Sequence, residues 1–304
     1  MPSFHNIKHN SVDSSMGAGG VWRSNDITGV NGGSIFHADF ESGTLAAQID
    51  AGTEAFSDTI SVYSDEYVIN GTQSARGKCA ALSDGFGSWG HILLTADMGV
   101  SDFAVGDEVW VSQNIRFKEN FNFTTVGGGL KILRFLVAGT GAGSHIDLYS
   151  NTSGVDAGTF SWRSEIHNGV NNSTDQDARI NFDNQNQRTD LNNTTAFARG
   201  VNHNLEVYVK FGGGGSGVVR VWLDNVLLYE DTQNATTNDA DNTCDRVMLF
   251  TYWNGTAPAT DKDGAAVTEQ VCYYDDVIIF STVDGNLPPS RTDSEDNAYI
   301  GAAQ

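Results

Sequence analysis

Proline and cysteine are both scarce, at 4 and 3 of 304 residues. The three thiols, Cys79, Cys244 and Cys272, are too few and too far apart for a disulfide scaffold. They read as small buried hydrophobes, with a Cys244–Cys272 bridge left open if those segments are neighbours. Bases are short as well: 17 Lys and Arg against 38 Asp and Glu leave a net charge of −21. A surface of that sign excludes nucleic acid as a main partner, because binding phosphates needs clustered cations. It favours solubility and the attraction of cations. Apolar runs are short. Nothing approaches the ~20 residues of a membrane helix, so membrane insertion is not expected. The opening residues Met1-Pro2-Ser3-Phe4-His5 lack a basic and an apolar stretch. They predict no secretory signal, so the chain is read as a mature form or one that leaves its cell by another route.

Glycine is abundant at 34 residues, and Asn, Asp, Ser and Thr are frequent, which suits many turns between short strands. The 39% of hydrophobic residues suffices for a core. Residues 1–34 are polar and glycine-rich and read as an extended arm. From Ile35 to Glu41 the apolar period becomes two, the mark of a strand. Val109 to Lys118 alternates. It places Val109, Val111, Ile115 and Phe117 on one face, and Trp110, Ser112, Asn114, Arg116 and Lys118 on the other. Leu130–Val137, His145–Tyr149 and Phe160–His167 follow as strands. Alternation of this kind predicts one face on the core and one in water. Residues 168–204 read as a long loop with a short strand near Ile180. Leu205–Phe211, the glycines 212–215 and Val218–Tyr229 form a hairpin. Val247–Trp253 and Val271–Ser281 close the series, and 284–304 is a polar tail. Many short strands without long helices predict one all-β domain over 35–283.

Three segments carry a resemblance. Val219-Arg220-Val221-Trp222-Leu223-Asp224-Asn225-Val226 resembles a hairpin strand of the concanavalin A-like lectin/glucanase superfamily, with Asn225 where glycine is usual. Tyr273-Tyr274-Asp275-Asp276-Val277-Ile278-Ile279 resembles its closing strand, and His37-Ala38-Asp39-Phe40-Glu41-Ser42-Gly43 its opening one. Their order also matches. The resemblance implies a two-sheet antiparallel jelly-roll β-sandwich. It does not settle function, because that fold carries binding, hydrolytic, lytic and structural proteins alike.

The resemblance also implies that the opening and closing strands are neighbours with a structural calcium between them. Glu41, with Asp275 or Asp276, would supply carboxylate oxygens toward the six to eight that calcium takes. The alternative is solvated or base-paired acids. Since Asp275 and Asp276 are adjacent in a strand, only one is expected to face the site, with Asp276 preferred.

Opposite the apolar positions lies a polar series: Trp110, Asn114 and Arg116; Arg134; His145, Asp147 and Tyr149; Arg163, Glu165 and His167. Tyr252 and Trp253 are placed at its rim. Aromatic faces beside planar hydrogen-bonding groups suit sugars, whereas a plain solvated face with cross-strand ion pairs is the alternative. Trp162-Arg163-Ser164-Glu165-Ile166-His167 resembles a strand of jelly-roll alginate lyases. That resemblance implies proton abstraction beside a uronate carboxylate by His145 or Tyr149, with Arg163 and Asn114 neutralising the charge. Two further strand motifs of those lyases are missing. Cleavage by two carboxylates would need Glu165 with Asp147.

The expected function is therefore carbohydrate binding by a lectin-like sandwich, outside a cell or on a virion. Its partner would be a polysaccharide or a cell-surface glycan. The arm could join copies of the chain or a virion partner. A uronate-polysaccharide lyase is the alternative, and a purely structural decoration protein the third reading.

Overall fold

The computed structural model describes residues 35–41, 61–82, 91–124, 130–138, 144–151, 161–166, 179–181, 198–212, 216–224, 226–231, 243–253 and 256–283. The arm, the tail and His167 lie outside them. No helix occurs among the described residues. The strands are β1 (Phe36–Ala38), β2 (Ser61–Ser64), β3 (Ser74–Ala80), β4 (His91–Leu94), β5 (Glu108–Phe117), β6 (Leu130–Ala138), β7 (Ser144–Asn151), β8 (Ser161–Ile166) and β9 (Arg179–Asn181). They continue with β10 (Asn202–Lys210), β11 (Val218–Leu223), β12 (Val226–Asp231), β13 (Thr243–Trp253) and β14 (Glu269–Ser281). They form two antiparallel sheets, as a jelly-roll sandwich requires. One has the order β12-β11-β10-β5-β14-β3-β2, with β1 also on β14; the other has the order β4-β13-β6-β7-β8-β9.

The period-two pattern explains the core. Val109, Val111, Ile115 and Phe117 of β5 meet Leu205, Val207 and Val209 of β10 and Cys272, Tyr274 and Ile279 of β14. Ile132, Leu133 and Phe135 of β6, with Val247 and Leu249 of β13, face them from the other sheet. All three cysteines are free and buried, with no Cys244–Cys272 bridge: the Cys244 thiol bonds Arg246 O at 3.3 Å, and the Cys272 sulfur meets the Tyr274 hydroxyl at 2.7 Å.

Two expectations need correction. The stretch 218–229 is two strands, because the chain reverses at Asp224, whose φ is +51°. Asp224 holds this turn in place. Its carboxylate accepts the Asn204 N–H at 2.9 Å and meets His203 Nδ1 at 2.6 Å. The polar side of β5 is also not in water: Trp110, Ser112 and Asn114 are fully buried. β5 lies inside its sheet between β10 and β14, so its outward side chains pack between theirs. Trp110 stacks on Phe280 at 5.2 Å, and Tyr67, Ile69, Val271 and Tyr273 form a small outer cluster.

Gln113 breaks the apolar series of β5. It pairs in register with core Leu205, is fully buried, and neither its amide nitrogen nor its oxygen has a hydrogen-bond partner. A buried amide without partners opposes folding, so Gln113→Leu is expected to raise the unfolding free energy by about 1–3 kcal/mol. Urea titration checks this. A destabilised variant would mean that the amide is satisfied in solution.

Candidate functional site

The carboxylates expected to bind calcium gather around one turn, residues 69–74. Asp275 accepts the Asn70 N–H at 3.0 Å and the Ser74 hydroxyl at 2.8 Å. Asp276 accepts the side-chain amides of Asn70 at 3.0 Å and Asn114 at 3.3 Å. The expectation that these neighbours face opposite ways is overturned. Asp276 has φ +44° at an irregularity between Asp275 and Ile278, so both reach the same turn. Glu41 reaches the far side of the turn, accepting from Thr72 N–H at 2.8 Å, the Thr72 hydroxyl, and Gln73 N–H at 3.1 Å. Gly71, at φ +66°, leaves room for that carboxylate, which a Cβ would strike.

These partners are N–H and O–H donors, which present positive hydrogens where calcium needs oxygens. Among the described residues no group of three His, Cys, Asp or Glu is placed to hold a metal. The residues as arranged therefore fit a hydrogen-bonded carboxylate cluster better than the ion. Chelator is expected to leave the melting temperature unchanged; a lowered midpoint would restore calcium to the site.

Burial, and then the neighbouring Asp276 charge, push the Asp275 carboxyl up to about 8. Glu41 moves the other way. Partial burial opposes its ionisation, but the Thr72 and Gln73 donors prevail and lower its pKa. For Asp275 the folded value exceeds the unfolded one, so the native state binds more protons between about pH 4 and 8. Its contribution to stability is complete below about pH 4 and falls as pH rises to about 8. Asp275→Asn is expected to flatten that decline, read from unfolding free energies across this range. An unchanged slope would assign the decline to other groups.

The polar series predicted from sequence splits between the two sheets. Trp110, Asn114 and Arg116 belong to β5 of the eight-stranded sheet; Arg134, His145, Asp147, Tyr149, Arg163, Glu165 and Tyr252 belong to the six-stranded one. They cannot share one ligand face. Arg116 is moreover committed: it bonds Glu119 at 2.7 Å and Asn202 at 3.2 Å, and lies 3.3 Å over the Tyr67 ring.

Of the side chains in these two rows, the structure describes those of Lys131, Arg134 and Met248; the others are placed by strand register. Cross-strand partners share a face. The first row runs Tyr252–Lys131–Tyr149–Arg163–Asn181 over five strands. With about 4.8 Å between strands it is about 19 Å long. The second runs Met248–Arg134–Asp147–Glu165–Arg179. Its two acids stand side by side between two bases, so each acid borders one base and one acid. The first row holds two cations and no acid. Lys131 is buried at 7% exposure, so its cation is partly shielded from water.

Two sequence-based assignments shift. His145 is four residues from Tyr149 on β7, about 13 Å away, so they cannot serve one reacting proton. Trp253 pairs with core Leu130, which puts it in a row of the opposite face from Tyr252. Lys131, Arg179 and Asn181 were missed as site residues. Lys131 lies in an apolar strand, and 179–181 in a segment without usable period.

No family model and no curated protein sequence matches the chain. Solved structures do. An endo-β-1,4-glucuronan lyase from the fungus Trichoderma reesei is 16% identical with a TM-score of 0.52, over 81% of this chain and 95% of that one. A variant of the alginate lyase Aly36B, in complex with an alginate trisaccharide, is 15% identical with a TM-score of 0.53, over 81% and 97%. The alginate lyase vAL-1 from Chlorella virus is 12% identical with a TM-score of 0.51, over 79% and 94%. The fold is thus that of jelly-roll polysaccharide lyases.

Proposed function

We propose that this protein is a polysaccharide lyase acting outside a cell on a uronate-containing glycan by β-elimination. The observation that supports it is the first row, where Tyr149 stands between Lys131 and Arg163 with no acid among them. Elimination removes the proton on the carbon bearing the carboxylate, forms a carbon–carbon double bond, and expels the glycosidic oxygen of the next sugar. The proton's removal puts negative charge on the carboxylate. Cations at Lys131 and Arg163 would stabilise that charge as it grows. Tyr149 is in register to exchange a proton with the reacting carbon or the leaving oxygen. In the second row Arg134 flanks Asp147 and Arg179 flanks Glu165, an order that suits supporting ion pairs at its two ends. Glu165 is placed there rather than in the chemistry. The solved lyases of this fold support the reading over simple sugar binding, which would use the same row without turnover.

Wild-type protein is expected to release unsaturated uronates from glucuronan or alginate, followed by their ultraviolet absorbance. Tyr149→Phe should lower kcat by about 10²–10⁴-fold with substrate still bound. Arg163→Ala and Lys131→Ala should each lower kcat/KM by about 10²-fold or more. Binding without product from any polyuronate would return the protein to the lectin-like reading. Neither binding nor product would leave the structural one.

A further inference from the structure

The outer face of the eight-stranded sheet carries a charged corner that the proposed chemistry does not use. Across β5, β14 and β3, Arg116, Tyr273 and Arg76 stand in register, and Lys118 follows β5 by one residue. The loop between β2 and β3 lays Glu66 against them. Its carboxylate takes Lys118 Nζ at 2.7 Å on one oxygen and Arg76 Nε at 3.3 Å on the other. Arg76 is aimed from behind, because its Nη2 is held by Glu269. Lys118, and then Tyr273, keep the Glu66 carboxyl below the usual carboxylate range.

Glu66 does not complete this set of donors. The Tyr273 side chain is fully buried, and its hydroxyl has no hydrogen-bond partner. It lies near enough to Glu66 for that charge, after burial, to raise its pKa, yet the two do not meet in hydrogen-bond geometry. A buried donor left open is costly. It calls for an acceptor that reaches deeper than Glu66 does. A free carboxylate, with about four lone-pair directions on its two oxygens, has enough to take Lys118, Arg76 and Tyr273 together. Charge-assisted bonds of that kind are the strong ones.

Glu66 can leave without rearranging the fold. Its side chain is 47% exposed and that of Lys118 37%, and ion pairs so exposed hold weakly. The backbone beside it is fixed. Glu66 N–H bonds Ser64 Oγ at 3.1 Å. The Arg116 guanidinium lies 3.3 Å over the Tyr67 ring, whose centroid is 5.5 Å from that of Tyr273. Rotation of the Glu66 side chain alone therefore uncovers the donors. Once it turns away, Arg76 and Lys118 outweigh the single charge of Glu269, so the corner favours an anion.

We propose that Lys118, Arg76 and the Tyr273 hydroxyl form a second carboxylate-binding site, on the sheet opposite the first row. Glu66 occupies it at rest, and a uronate unit of the polymer takes it when Glu66 rotates out. The identity of the ligand rests on the reading of the first row; the site itself does not. Calorimetry with a β-1,4-glucuronan hexasaccharide tests it, on Tyr149→Phe protein so that nothing is cleaved. That protein should bind one equivalent, at the row. Adding Glu66→Ala should bring a second equivalent. A further Lys118→Ala should weaken the second about tenfold, the scale of one lost charge-assisted bond. A neutral cello-hexasaccharide should not fill the second site. If Glu66→Ala leaves one equivalent, if Lys118→Ala leaves the second unchanged, or if the neutral sugar fills it too, the site is overturned and the row stands. No binding before Glu66→Ala and one equivalent after it would keep the site and remove the row. No binding in either protein would overturn both.

Discussion

Strand β14 is the constraint on which the eight-stranded sheet depends. Glu269 to Tyr274 pairs with β3, Phe36 to Ala38 of β1 takes over from Val277 to Ile279, and β5 lines the other edge from Cys272 to Ser281, with a break between Asp275 and Ile278. The handover needs a break, and the left-handed Asp276 supplies it. A side chain at positive φ is strained, and it persists where surrounding bonds hold it. Here those bonds come from Asn70 and Asn114. The same bulge turns two carboxylates onto one turn, and Glu41 clasps that turn from its other side. Local backbone strain, sheet topology and a buried acid cluster are thus one feature.

The sandwich divides its labour between its outer faces. On the eight-stranded sheet the outward side chains of β5 are buried and mutually bonded, with Asn204 bridging Ser112 and Asn114 at 3.1 and 3.2 Å. On the six-stranded sheet, Lys131, Arg134, Arg163 and Arg179 are four of the chain's 17 bases, against Asp147 and Glu165 on the same two rows. In a chain of net charge −21 such a local surplus attracts an anionic polymer to one place and repels it elsewhere.

Much of this was legible in the residues themselves. Side chains of a strand alternate between faces, so Val109, Val111, Ile115 and Phe117 announced a core face, and the strand-rich, turn-rich composition announced a sandwich. The opening and closing strands were recognisable because the packing of β1 on β14 constrains their residues directly. Alternation, however, says only that two faces differ. It cannot say which sheet a strand joins, and so Trp110, Asn114 and Arg116 were grouped with a face on the far side of the molecule. Nor can it foresee a bulge. One left-handed residue at Asp276 and one irregularity between Lys131 and Leu133 shift which side chains share a face. Lys131 came beside Tyr149, and Asn181 beside Arg163, only through the register of neighbouring strands, which the local pattern leaves open. The sequence by itself determined strands, core faces and charge. Tertiary structure alone decided which polar residues meet, because register and sheet membership are set by long-range hydrogen bonds that local pattern does not encode.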